Sequence, residues 1–271
     1  MAMNPRLLRP LATFDPDAAA YLRAVEAADG QALETPVKRA VDDFFRGIKA
    51  DNTFGAIKAA CLLCGARTLA GALVPLVGTA PTNGANGFVA GDYTRGGATP
   101  GLKGDGASYL DSGRATDADS QNDNHWAIYI TTPQTVAGRS AFGSGDNVAV
   151  SYNYHRTNTA VGKVGEPQLQ NNTSTNYNTT NGLEAAGLSA TSRSSASQYD
   201  WVSGGSSGVV SASSVAPNSL NSYVFAANTE TGAAIFSNAR LAFYSIGESI
   251  SDLAALDARV TALVTAIGAA V

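Results

Sequence analysis

Phe236-Ser-Asn-Ala-Arg-Leu-Ala-Phe-Tyr-Ser-Ile-Gly247, followed shortly by Leu253-Ala-Ala-Leu256, is the stretch that decides the fold class. Residues 240–246 alternate: Leu241, Phe243 and Ser245 fall on one face, and Ala242, Tyr244 and Ile246 on the other. Both faces are largely apolar, which predicts a strand covered on both sides. Upstream, Ser222-Tyr-Val-Phe-Ala-Ala227 alternates polar and bulky residues and predicts another strand. Downstream, Ile250, Leu253, Leu256, Val260, Leu263 and Ile267 step by 3, 3, 4, 3 and 4, an apolar helical seam with few charges. The seam is short for a coiled coil, so the helix is expected to pack on its own domain.

Between that ending and about residue 81 the chain is rich in Gly, Ser, Thr and Asn, with short apolar alternations. Predicted strands are 88–90, 108–111, 125–131, 139–143, 147–154, 198–202, 208–213, 222–227 and 240–246. Short strands separated by turn signals predict a β-sandwich or jelly roll. His125-Trp-Ala-Ile-Tyr-Ile-Thr131 is the longest β-branched and aromatic run and is placed centrally. The low-complexity stretch 169–181 is expected to be an exposed loop or an edge strand pair. Its glycosylation triplets at Asn171, Asn172 and Asn178 carry no meaning in a cytoplasmic or bacterial context.

Residues 15–80 read as helical. Asp15-Pro16 and Thr35-Pro36 are cap-then-proline starts. Val37, Val41, Phe44, Phe45 and Ile48 form one apolar stripe. A third helix is expected from Phe54 to Ala72, ended by Pro75. Cys61-Leu-Leu-Cys64 falls on it and reads as two small apolar residues on a buried helix. A redox pair would need a thioredoxin-like context, and zinc would need four ligands, whereas His125 and His155 lie far off. Residues 1–14 read as an arm broken by Pro5 and Pro10.

Composition narrows the function. Of 271 residues 44% are hydrophobic, enough for a core, and only 15% are charged. Residues 1–80 carry +1 and residues 81–271 carry −5, giving the net −4. Nothing forms a basic face, which argues against nucleic-acid binding. Met1 to Pro10 lacks the apolar core of a signal peptide, and the run from Leu69 to Val77 is too short to span a membrane. A protein made in a cytoplasm, with no membrane insertion, is expected.

Gly101-Leu-Lys-Gly-Asp-Gly-Ala-Ser-Tyr-Leu110, His125-Trp-Ala-Ile-Tyr-Ile130, Tyr223-Val-Phe-Ala-Ala-Asn228 and Ala239-Arg-Leu-Ala-Phe-Tyr-Ser-Ile-Gly-Glu-Ser249 occur in that order. This order resembles the concanavalin A-like (laminin G-like) jelly-roll domains of tailed-phage virion proteins. The first motif looks like the opening strand of that family, where glycines permit a tight turn. The helical segment 17–75 is similar to a region preceding the domain. Arg6-Leu-Leu-Arg9 looks like the peptide by which such proteins attach to a particle. The resemblance implies a non-enzymatic virion component: a tail fibre, baseplate or head-decoration protein. It would be assembled in the host cytoplasm, bound to other virion proteins and homo-oligomeric. The implied layout is an arm (1–14), a helical region (15–80), a jelly roll (81–249) and a C-terminal helix (250–271).

Some concanavalin-like folds are glycoside hydrolases, which need paired carboxylates. After residue 81 there are four Glu residues, Glu166, Glu184, Glu230 and Glu248, and none sits in a carboxylate-rich strand. No Gly-x-Ser-x-Gly elbow supports a serine nucleophile; Gly204-Gly-Ser-Ser-Gly208 reads as a turn. No catalytic residue, cofactor or metal site is assigned. Asp117, Asp119 and Asp123 form an oxygen-rich cluster that would suit Ca²⁺, against the plainer reading of a solvated turn. Tyr152, Tyr154, Tyr177, Tyr199 and Trp201 are candidate sugar-stacking aromatics, against the plainer reading of cross-strand packing. They raise a second function, adsorption to a host surface glycan.

Overall fold

The computed structural model describes residues 13–136, 138–145, 152–157, 167–173 and 185–271. Four helices are present among them: α1 Pro16–Asp29, α2 Thr35–Ala50, the single-turn α3 Leu69–Ala72, and α4 Leu253–Ala270. The strands are β1 Ile57–Leu62, β2 Pro75–Val77, β3 Thr82–Asn83, β4 Tyr93–Thr94, β5 Gly101–Lys103, β6 Leu110–Ala115, β7 Asn124–Thr132, β8 Ser140–Gly145 and β9 Tyr152–Thr157. They continue with β10 Pro167–Thr173, β11 Gly187–Arg193, β12 Gln198–Ser203, β13 Ser206–Ser211, β14 Asn221–Val224, β15 Ala227–Thr229, β16 Gly232–Ala234 and β17 Arg240–Gly247.

These strands make a mainly β, jelly-roll-type sandwich with helices on one side. The first sheet runs β13-β12-β11-β7-β17-β1-β2, and β5 also pairs with β17. The second runs β10-β9-β8-β14-β6-β3, with the β15–β16 hairpin joined to β8. The 125–131 run is therefore central, as expected. Two apolar cores result. One lies between the helices and the first sheet and holds Val37, Val41, Phe44, Ala127, Phe243, Val260 and Ile267. The other lies between the sheets and holds Trp126, Ile128, Phe142, Val224, Leu241, Tyr244 and Ile246. The molecule is three layers deep, which is why β17 is apolar on both faces.

The two faces of β17 divide differently from strict alternation. Leu241 joins Tyr244 and Ile246 between the sheets, while Ala242 and Phe243 face the helices. The pairing with β7 shifts between Leu241 and Phe243, so a bulge breaks strict alternation. Phe243 then meets Phe44 of α2 edge-on at 6.1 Å between ring centres.

The first helix begins as expected, but in the second Thr35 is already helical and the cap position falls on Glu34, with no side-chain capping bond. The Asp15 side chain accepts from the backbone N–H of Asp17 and Ala18, and Lys49 Nζ sits 2.7 Å from its Oδ1. Glu34, at the entry to α2, pairs with Arg95 and Arg67. Its hydrogen bond to Arg95 holds its carboxyl down at about 2, and burial opposes this.

The expected third helix is not there. A 3-10 turn at Phe54–Ala56 leads into β1, which pairs with β17 through Cys61 and Tyr244, and then into α3 and β2. An apolar run covered on both faces has no period that separates strand from helix. The stretch expected to be all helical thus supplies two strands to the first sheet. Cys61 and Cys64 are buried and free, but not on a helix. Cys61 lies between the sheets and Cys64 under the helices. Burial pushes both thiols up, so both stay protonated. The C-terminal helix packs at home, burying Leu253, Leu256, Val260, Leu263, Val264 and Ile267. It is long and apolar enough to cross a membrane by composition alone, yet that stripe lies in the helix–sheet core.

Candidate functional site

The sandwich has a polar end and an aromatic outer face. At the polar end, hydrogen bonds bridge the sheets where aliphatic packing would be expected. His155 Nδ1 lies 3.3 Å from Ser189 Oγ, and Asn171 Nδ2 donates to Thr191 Oγ1 at 3.2 Å. Arg193 is fully buried and donates to the carbonyls of Asn171, Ser195, Gln198 and Ala212. It also stacks over the Tyr199 ring at 5.2 Å.

This end removes one expected sugar platform. Tyr199 is 1% exposed, and its hydroxyl donates to the Leu169 carbonyl. It is a core residue because its phase on β12 faces the second sheet. Asn171 and Asn172 are buried too. Trp201 is half-buried and packs over Gly208, where an added Cβ would stand 2.9 Å from Nε1. Tyr152 and Tyr154 occupy register positions opposite Gly145 and Gly143 of β8. Tyr177 and the arm residues Arg6, Leu7, Leu8 and Arg9 lie outside the described residues.

The calcium cluster is not assembled. Asp119 accepts a forked pair from Arg114, Nε to Oδ2 at 2.9 Å and Nη2 to Oδ1 at 2.5 Å. Asp123 Oδ1 accepts from the backbone N–H and hydroxyl of Ser249 at 2.8 and 2.7 Å. Asp117 is exposed. Among the described residues no group of three His, Cys, Asp or Glu is placed to hold a metal ion.

The histidines are structural. His125 is fully buried, with Nδ1 2.6 Å from the Glu248 carbonyl and Nε2 3.0 Å from Ser245 Oγ. Ser245 is itself fully buried, so this Ser–His contact has no access for a substrate. Burial lowers His125 to about 4 and His155 to about 3, so both are neutral. Of the glutamates, Glu248 pairs with Lys58 at 3.0 Å and Glu230 sits in the turn between β15 and β16. Glu166 and Glu184 lie outside the described residues.

The constellation that remains is on the outer face of the second sheet. On β14, Ser222 and Val224 point inward and are buried, so Tyr223 points out and is half-buried. Its β6 partner is Asp111. Tyr109, two residues before Asp111, shares that side and stacks on Tyr223 with ring centres 4.4 Å apart and planes 25° apart. Phe236 flanks Tyr109 at 6.3 Å. Gly84 lies under the Tyr109 ring, where a Cβ would come within 2.5 Å. Asp111 Oδ2 accepts from Asn221 Nδ2 at 3.2 Å, and Asn228 Nδ2 donates to the Asn221 carbonyl at 2.8 Å. Burial, then Tyr109 and Asp111, push the Tyr223 phenol up to about 12, so it stays a donor. The pairing also lines Tyr154 up with Gly143 and Tyr223.

Half-buried rings beside a carboxylate and amides can hold a ligand with one apolar face and many hydroxyls. The sequence reading missed Tyr109, Tyr223, Phe236 and Asp111. The signal was present in Ser222-Tyr-Val: an aromatic at the outward phase of an alternating strand is bulk that the core does not use.

No family model matches the chain, and no curated protein matches it. Solved structures similar to it include the NanB sialidase of Streptococcus pneumoniae, at 15% identity and TM-score 0.40 over 54% of this chain. Another is a leech intramolecular trans-sialidase, at 13% and 0.36 over 59%. The chain spans only 25% and 27% of those two proteins. Domain 4 of AbnA, an extracellular arabinanase from Geobacillus stearothermophilus in complex with arabinotriose, is similar at 12% and 0.40, over 69% of this chain and 82% of that one. Overlap this slight assigns no ligand to the present chain.

Proposed function

We propose that the chain is a non-enzymatic display protein whose sandwich binds a glycan on the outer face of its second sheet. The observation that carries this is the Tyr109–Tyr223 stack beside Asp111 and Asn221. The rings offer an apolar surface to sugar C–H groups, and the carboxylate and amide take sugar hydroxyls. The helical layer covers the far side of the first sheet, which leaves the second sheet as the face to present. A glycan array probed with the full chain tests this. Binding to at least one class of oligosaccharide is expected. A silent array, with the fold verified by circular dichroism, overturns it.

The finer proposal is where the display occurs. The ordered motifs from Gly101 to Ser249 and the arm Arg6-Leu-Leu-Arg9 support a tailed-phage virion component, in tail fibre, baseplate or head decoration. In that setting the glycan belongs to the host surface, and the N-terminal part holds the other virion proteins. Quantitative mass spectrometry of purified particles reads it directly. A few to a few tens of copies fits an adsorption role, hundreds fit decoration, and absence from particles removes the virion reading.

A further inference from the structure

We infer that the second-sheet face takes an uncharged oligosaccharide and rejects sialylated or uronic sugars. This rests on the glycan reading above and adds the class of sugar. The selecting group is Asp111. Its Oδ1 accepts from the Gly113 N–H at 2.8 Å and its Oδ2 from Asn221 Nδ2 at 3.2 Å. Both donors are neutral, so they orient the carboxylate without cancelling its charge. Among the described residues, the side chain that hydrogen-bonds Asp111 is an amide, Asn221, and the rings clustered beside it are phenol and phenyl: Tyr109, Tyr223 and Phe236.

A sugar carboxylate needs a cation or a fork of donors to replace its hydration. The guanidinium nearest in sequence is Arg114, three residues along β6. It is already spent on Asp119, whose side chain is only 4% exposed. Freeing it would strand a buried carboxylate, so Arg114 is not available to an incoming anion. An acidic sugar on the stack would therefore meet Asp111 charge to charge. A neutral sugar would meet it as a row of hydroxyl donors to an ionised acceptor, the stronger kind of hydrogen bond. The acidic balance of residues 81–271 acts in the same direction at longer range.

The test uses the full chain and matched pairs of oligosaccharides, each neutral sugar beside its sialylated or uronic counterpart. Binding is read by calorimetry at low and high salt, with Asp111→Asn in parallel. In the wild type the neutral member of each pair should bind about tenfold tighter or more. High salt should narrow that gap, and Asp111→Asn should close most of it. An acidic member that binds as tightly as its neutral parent overturns the inference and leaves glycan binding standing. Failure of every sugar to bind a folded chain overturns both.

Discussion

At the scale of single residues, the account turns on side chains whose surroundings fix one job. Gly101 is such a residue: φ is +129°, and an added Cβ would stand 2.3 Å from the Leu241 carbonyl. Gly101 lies in β5, so what requires glycine there is the close approach to β17 and not the tight turn expected of the motif. Gly101→Ala should cost about 1–3 kcal/mol, because both the backbone conformation and the neighbour oppose it. Urea denaturation reads the loss, and an unchanged midpoint would contradict the geometry. The two histidines set a pH dependence. Their folded values lie near 4 and 3, below the ordinary 6.5, so the unfolded chain takes up protons that the folded chain refuses. Stability is intact above about pH 6.5 and falls as pH drops towards those values, by at most about 3 kcal/mol for His125 and about 5 kcal/mol for His155 at the lower end. Unfolding midpoints at pH 7.5 and 5 test this above the range in which carboxylates titrate. The lower pH should give the lower midpoint, and His125→Gln should flatten the trend.

At the scale of elements, β17 carries the fold because it feeds both cores. Phe243→Ala should cost about 3–5 kcal/mol, since it empties the contact with Phe44 under the helices. A loss near zero by chemical denaturation would mean that the helices do not rest on this strand. What was legible in the sequence follows the same division. β7, β12, β14 and β17 show through their alternation, and α1, α2 and α4 show through caps and stripes. β10 was expected as an exposed loop or part of an edge pair and is an edge strand beside β9, though its Asn171 and Asn172 turn out buried. β11 does not show, because Ser189-Ala-Thr-Ser-Arg193 lines a hydrogen-bonded interior. A buried polar strand looks like a loop when only hydrophobicity is read. β1 was hidden for the opposite reason: covered on both sides, Ile57-Lys-Ala-Ala-Cys-Leu62 keeps no polar phase. The aromatic face was half legible. Its residues sit in quoted motifs, but the register that brings Tyr223 beside Asp111 and Tyr109 spans over a hundred residues. The expected platform at Tyr199 failed because a tyrosine in a polar-looking strand can still face inward.

At the scale of the molecule, the helical layer and the sandwich are one structural unit. β1 and β2 come from the stretch between α2 and the jelly roll, yet they extend the first sheet beyond β17. The chain should therefore unfold in a single cooperative transition. Calorimetry showing two separated transitions would contradict that. This construction leaves the outer face of the second sheet turned away from the helices, and it is there that binding is placed. The most direct measurement is a titration of the best array ligand into the wild type and Tyr223→Ala side by side. Equal thermal midpoints would establish that both chains are folded. The account predicts that the wild type binds and that the variant loses about tenfold or more in affinity, because stacking on the ring is removed. Equal affinity for the two proteins would contradict it and would move the glycan, if one binds, to another surface.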